Sequence, residues 1–303
     1  MDQEIINKLV KAGKVAAEVR REGAIKLSKP GASFREVMDY CEERVIKLGG
    51  ELAWAQMALN DVAAHYCPEQ EDDSVSQEGD VIKVDIGVHQ DGYIADNAMT
   101  VIVGKSNEHV NLLKASQKAL KAASKLAVPG TPLWQLGEAQ LSEAEALGYT
   151  TIKNLCGHTL ERYKVHGGCS IPTYNNKDKT ELQEGWMIAI EPFVTNGQGL
   201  IREKGKATVF MVGTEKGVRT PYARKILEEV RDRKGLPFHL RQLTRKFGKG
   251  TTALGLRELQ QLGIVRNYPP LAEVSGGMIA QFEHSMIVKD KPIVYTRHEE
   301  DQW

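Results

Sequence analysis

Long apolar runs are missing from this 303-residue chain, and none approaches the ~20 residues of a membrane-spanning helix, so a helical membrane protein is excluded. Charge of one sign is missing too. Lys and Arg total 40 and so do Asp and Glu, which leaves no net field to draw the molecule to nucleic acid or to a membrane surface. Cysteine is sparse: Cys41, Cys67, Cys156 and Cys169 lie far apart without a C-x-x-C pair, which fits reduced thiols in a cytosolic protein rather than a disulfide framework. The opening Met1-Asp2-Gln3-Glu4 lacks the basic and apolar regions of a secretory signal, so the expected location is the cytoplasm. What is there, 41% apolar and 26% charged residues, is the balance of a soluble globular protein with one large domain or two ordinary ones.

Two aspartates stand in apolar surroundings. Val81-Ile82-Lys83-Val84-Asp85-Ile86-Gly87-Val88 and Tyr93-Ile94-Ala95-Asp96-Asn97-Ala98-Met99-Thr100 both read as strands, and the His89-Gln90-Asp91-Gly92 link suits a hairpin. A carboxylate drawn out of water is costly unless a cation or several donors compensate it. Two on paired strands point to a shared cation; hydrogen bonds to nearby backbone are the plainer alternative for the pair alone. Three more groups repeat the theme. His158 ends Asn154-Leu155-Cys156-Gly157-His158, Glu191 lies near the end of the apolar run from Trp186 to Phe193, and Glu283 interrupts the run from Met278 to Val288. This oxygen-rich set with one nitrogen suits Mn, Co or Fe better than a structural zinc. It exceeds an ordinary four-coordinate site and fits two metals bridged by carboxylates. A competing zinc arrangement of Cys156, His158, His166 and Cys169 would leave the carboxylates unexplained.

Apolar residues at helical spacing run from Ile5 to Leu27 and stop at Ser28-Lys29-Pro30-Gly31. Ser33 is placed to cap a second helix that closes at Gly49-Gly50. Strands are expected to about 103, helices over 108–127 and 133–147, and strands again from 150 to about 212. Two helices then strands, twice over, predict a pseudo-symmetric α+β domain with helices backing an antiparallel sheet. From about 220 to 277 the texture changes. Segments 223–234, 241–247 and 252–262 read as short helices followed by an extended Ile264-Val265, as in a winged-helix module. Basic residues there alternate with Glu228, Glu229 and Asp232, so a solvated face is expected rather than a nucleic-acid surface.

The motifs Lys83-Val84-Asp85-Ile86-Gly87, Ile94-Ala95-Asp96, Gly157-His158, Val165-His166-Gly167-Gly168, Ala189-Ile190-Glu191-Pro192-Phe193 and Ala280-Gln281-Phe282-Glu283-His284 follow one another in that order. With Ala63-Ala64-His65-Tyr66 upstream, the set resembles the methionine aminopeptidases over nearly the whole chain. The long gap between Glu191 and Glu283 resembles the type 2 class, and the near-immediate first helix its archaeal form. The resemblance implies a pita-bread (creatinase/aminopeptidase-like) fold. Residues 1–219 plus 278–303 would form the catalytic domain, and 220–277 a helical, winged-helix-like insertion bordering the substrate pocket.

It also implies two divalent metal ions (Co, Mn, Fe or Zn) held by Asp85, Asp96, His158, Glu191 and Glu283. A hydroxide bridging them would attack the first peptide carbonyl, removing the initiator methionine from nascent proteins with a small second residue. Glu191 would also pass protons to and from that water. His65 would steady the tetrahedral centre or leaving nitrogen, and His166 would bond the scissile carbonyl region. Trp54, Val165, Tyr268 and Leu271 would surround the methionine side chain. Type 2 members show Phe-Pro where this chain has Trp54-Ala55, so the larger ring is expected to narrow the pocket and retune specificity by ~1–3 kcal/mol. A monomer in transient contact with the ribosome is expected, with neither a membrane nor specific nucleic acid as partner. Two rivals share the fold. A non-catalytic relative that binds RNA, ribosomes or histones is disfavoured by the intact donor set. A proline-directed peptidase such as prolidase fits the His158–His166 segment and the long insertion less well.

Overall fold

The N-terminal apolar spacing becomes α1 (Gln3–Leu27), capped by Asp2 on the Glu4 amide, and α2 (Phe34–Lys47), capped by Ser33 on the Glu36 amide. These and all later statements come from a computed structural model that describes residues 1–214 and 216–301. Glu215 and the last two residues of the expected catalytic segment lie outside the described residues. After β1 (Glu51–Leu59) and the short β2 (Val62–Ala64), the chain forms the hairpin of β3 (Val81–Gln90) and β4 (Tyr93–Ile102). Strands β1, β3 and β4 make one antiparallel sheet in that order. Leu9, Val19, Met38, Val45, Val84 and Ile86 fill the core between this sheet and the two helices. His89 and Gln90 belong to β3, leaving Asp91-Gly92 as the turn. Their φ angles of 52° and 83° are those of a type I′ turn, which explains the Asp-Gly step.

In the second half, α3 (Val110–Lys125) and α4 (Leu133–Glu145) pack on β5 (Thr150–Thr151), β7 (Ser170–Ile171), β8 (Met187–Ile190) and β9 (Phe193–Thr195), and β6 (Gly157–Leu160) lies between β7 and β8. Strands β10 (Ile201–Glu203) and β11 (Val209–Val212) lead to α5 (Pro221–Arg231), β12 (Phe238–His239), α6 (Leu240–Gln261) and β13 (Val265–Tyr268). This region closes on an apolar core of its own, with Phe210, Ile226, Phe238, Leu256 and Leu259 at its centre. The helices expected over 241–247 and 252–262 meet at Gly248, whose φ of 76° and ψ of 158° lie outside the helical region, so α6 is two helices joined across a sharp kink that glycine adopts freely. Arg241 ties α6 back to α2 by pairing with Asp39 and Glu42. Strands β14 (Leu271–Glu273), β15 (Ile279–Gln281), β16 (His284–Ile287) and β17 (Ile293–Val294) return the chain to the main body.

The two apolar runs that carry glutamates are each two strands rather than one. β8 and β16 are neighbours in the sheet β17-β16-β8-β6-β7, whereas β9 and β15 pair in the sheet β15-β9-β5. The chain therefore changes sheets at two corners, Glu191-Pro192 and Phe282-Glu283. Pairing of Ile190 with His284 and of Phe193 with Gln281 sets the corners side by side. Pro192 cannot donate to a ladder. At the other corner the amides of Phe282 and Glu283 bond the Ser116 hydroxyl and the Ala98 carbonyl instead.

Gly157 lets β6 approach β8 closely, because a Cβ there would sit 2.3 Å from the Ala189 carbonyl oxygen. Gly157→Ala should cost about 1–3 kcal/mol of stability in urea denaturation. An unchanged midpoint would mean that β6 shifts freely.

Candidate metal centre

Register brings the first two acids together. Asp85 lies opposite Ala98 and Asp96 opposite Gly87, so both carboxylates occupy one face of the β3–β4 pair as diagonal neighbours. His158 comes from β6, opposite Ala189, and the two corners supply Glu191 and Glu283. The Nε2 atom of His158 is 3.5 Å from Asp96 Oδ2 and 3.5 Å from Glu191 Oε1. Asp96, His158 and Glu283, all buried, bring ligand atoms within 4.8 Å of one another.

Nothing in this group neutralises the acids. Burial first, then repulsion from the neighbouring carboxylates, holds Asp96, Glu191 and Glu283 well above the ordinary carboxylate range. Both Glu283 oxygens are buried and receive no N–H or O–H bond. The Asp96 carboxyl is near enough to share a proton with it. Asp85 rises less, to about 6, since burial raises it while the Trp54 and Gln56 donors pull it back. Burial, with a contribution from the neighbouring His166, pushes His158 to about 3 and His65 to about 4. His166 is lowered by burial as well. Neutral imidazoles cannot offset the acids but can ligate a cation. Unpartnered buried oxygens and an N/O donor set therefore fit divalent metal ions.

These groups line a cavity of about 210 Å³. His65, His166, Trp54, Val165, Tyr268 and Leu271 line it together with the five expected ligands, so the structure brings every candidate into one place. Cys156 lines it as well but Cys169 does not, so the zinc arrangement does not form around this cavity. Trp54 is only 3% exposed and its ring lies over Gly87, where a Cβ would come within 2.3 Å. The ring is thus packed on the sheet at Gly87 while it also lines the cavity. His65 has a left-handed φ of 65°, strained for a non-glycine residue, and meets the Tyr268 ring edge-on at 5.4 Å. The His166 ring meets that of His158 edge-on at 4.7 Å. His284 faces away, into a separate cavity with Arg20 and Asp301, as strand alternation requires. Sequence reasoning missed Gln56, Phe193, Met211 and Pro237 in the cavity wall. Only Gln56 had a signal, its alternation with Trp54 along β1.

A buried acid-rich centre between two helix-backed sheet halves defines a metallohydrolase of the pita-bread class. Residues 7–290 match metallopeptidase family M24, and the chain belongs to that family. It is 43% identical to the methionine aminopeptidase of Pyrococcus horikoshii over 294 residues, 96% of this chain and 99% of that one. Among solved structures, a thermophilic Arx1 superposes with a TM-score of 0.88 at 17% identity, covering 100% of this chain and 93% of the other. The methionine aminopeptidase of Thermotoga maritima superposes at 0.73 with 22% identity, covering 98% of each chain. At these identities the superpositions establish the fold alone. The resemblance read from the motifs is borne out by the family match and the archaeal relative. Among the described residues no helix is long and apolar enough to cross a membrane.

In metal-free protein the raised acids contribute stability that is present below their unfolded values and lost as pH rises through the folded ones. A divalent ion must displace those protons, so its own contribution grows over the same rise. The increase in Tm on adding Mn²⁺ to chelated protein should be larger at about pH 8 than at about pH 6. An equal or smaller increase at the higher pH would place the ion elsewhere.

Proposed function

We propose that this chain is a dimetal-dependent aminopeptidase that removes the N-terminal initiator methionine from nascent proteins and peptides with a small second residue. The observation that carries the reading is the convergence of four acids, their pKa values raised by burial, and His158 in one largely apolar cavity. The name of the archaeal relative supports the substrate class. Asp85, Asp96, His158, Glu191 and Glu283 would hold two divalent ions, Co, Mn, Fe or Zn. Ions of that kind supply Lewis acidity to a carbonyl and acidify water.

The remaining work falls to the chain's own groups. Glu191 has one oxygen beside His158 and accepts a hydrogen bond from Gln281 Nε2 on the other. Its raised pKa suits it to take a proton from the attacking water and return it to the leaving nitrogen. His166, neutral beside His158, donates to the scissile carbonyl region. His65, held against Tyr268, steadies the tetrahedral centre. Trp54, Val165, Tyr268 and Leu271 exclude water and receive the methionine side chain. In this reading residues 1–219 with 278–303 are the catalytic unit, and the 220–277 insertion completes the pocket wall through Pro237 and Tyr268, with Leu271 on β14 against β2 of the main body. The enzyme works as a cytoplasmic monomer that meets nascent N-termini in transient contact with the ribosome.

Glu283→Ala should abolish methionine release from a Met-Ala-Ser peptide, and near-normal turnover would end the dimetal reading. Chelated wild-type protein should regain activity at about two Mn²⁺ or Co²⁺ per chain. Inactivity at every metal loading would favour a binding module, and faster cleavage of Xaa-Pro peptides a proline-directed peptidase. His65→Ala and His166→Ala should each lower kcat about 100-fold or more in steady-state assays while leaving the fold intact. A change confined to KM would reduce them to substrate contacts.

A further inference from the structure

Among the four acids, Asp85 has both oxygens held by protein side chains. Trp54 Nε1 donates to Oδ1 at 2.7 Å and Gln56 Nε2 donates to Oδ2 at 2.9 Å. Glu191 receives one such bond and Glu283 none. The two donors alternate along β1 and so share a face, with Gln56 directly opposite Asp85 and Trp54 opposite Gly87. Three features aim the indole. A register shift between Leu52 and Trp54 bulges the strand and re-aims the side chain that follows. Gly87 leaves room for the ring across the ladder. From the insertion, Arg233 Nη2 donates at 2.6 Å to the carbonyl of Ala53, the residue within the bulge.

We propose that Trp54 and Gln56 are positioning residues, a two-point clamp that orients the Asp85 carboxylate for its metal ion, and that Arg233 sets the clamp from the insertion. The inference rests on the dimetal reading above. One neutral donor per oxygen leaves a second lone pair on each, so the clamp and a cation are compatible. Fixing the carboxylate before the ion arrives removes an ordering cost from binding. Gln56 Oε1 is itself buried without a partner. That penalty makes an amide a poor space-filler at this position and points to its N–H bond as the reason for the residue.

Calorimetric titration of Mn²⁺ into chelated protein tests the clamp, with circular dichroism and Tm as fold controls. Wild-type protein should take up two ions. Trp54→Phe and Gln56→Met should each weaken one of them about 10-fold or more and leave the other unchanged. Gln56→Met, close in shape, carries the test if Trp54→Phe melts early. Arg233→Met should weaken the same ion, and an unchanged affinity would remove the insertion from the proposal. Unchanged or tighter binding in both β1 variants would overturn the clamp, while a loss of both ions in Glu283→Gln would leave the metal reading standing. Wild-type protein that takes up no Mn²⁺ would overturn both.

Discussion

Four carboxylic acids buried around one neutral imidazole repel one another where water cannot screen them, and the architecture is organised to hold them there regardless. Asp85 and Asp96 are locked into a continuous ladder between β3 and β4. The Ser285 hydroxyl accepts from the Asp96 amide and donates to its carbonyl, fastening β4 to β16 beside the Glu283 corner. Glu191 and Glu283 project from corners whose neighbouring strands are already paired in two different sheets. Backbone movement cannot relieve the repulsion, which leaves protons or cations to do so. A site of this kind stores the drive for metal binding in the cost of its own burial.

The acids are not equivalent, and the difference comes from β1. Glu283 depends on a cation or a shared proton, whereas Asp85 already has two donors that lower its need. The strand that supplies those donors is pinned from the insertion by Arg233 on Ala53, and α6 is pinned to α2 by Arg241 between Asp39 and Glu42. The region with its own apolar core is therefore coupled to the centre through hydrogen bonds and ion pairs, besides supplying Pro237 and Tyr268 to the cavity wall.

Much of this was legible along the chain. The hairpin is written in alternation and in Asp91-Gly92, and the caps at Asp2 and Ser33 are written in residue type. The candidate ligands stood out because a charged residue in an apolar run has few bland explanations. Other features left no local trace. The sheet change at Phe282-Glu283 depends on Ser116 and Ala98, both distant in sequence. Nor does local sequence show that the Trp54 ring lies over Gly87 with its N–H on Asp85.

The sequence by itself determined the candidate donors, the helix–strand order and the family, because residue chemistry and periodicity are local properties. Only the tertiary structure decided which lone pairs are already occupied, which rings face the cavity, and that two corners from chain segments some ninety residues apart meet beside one imidazole. Those outcomes depend on register and sheet order, set when distant strands pair and beyond the reach of any short window of residues.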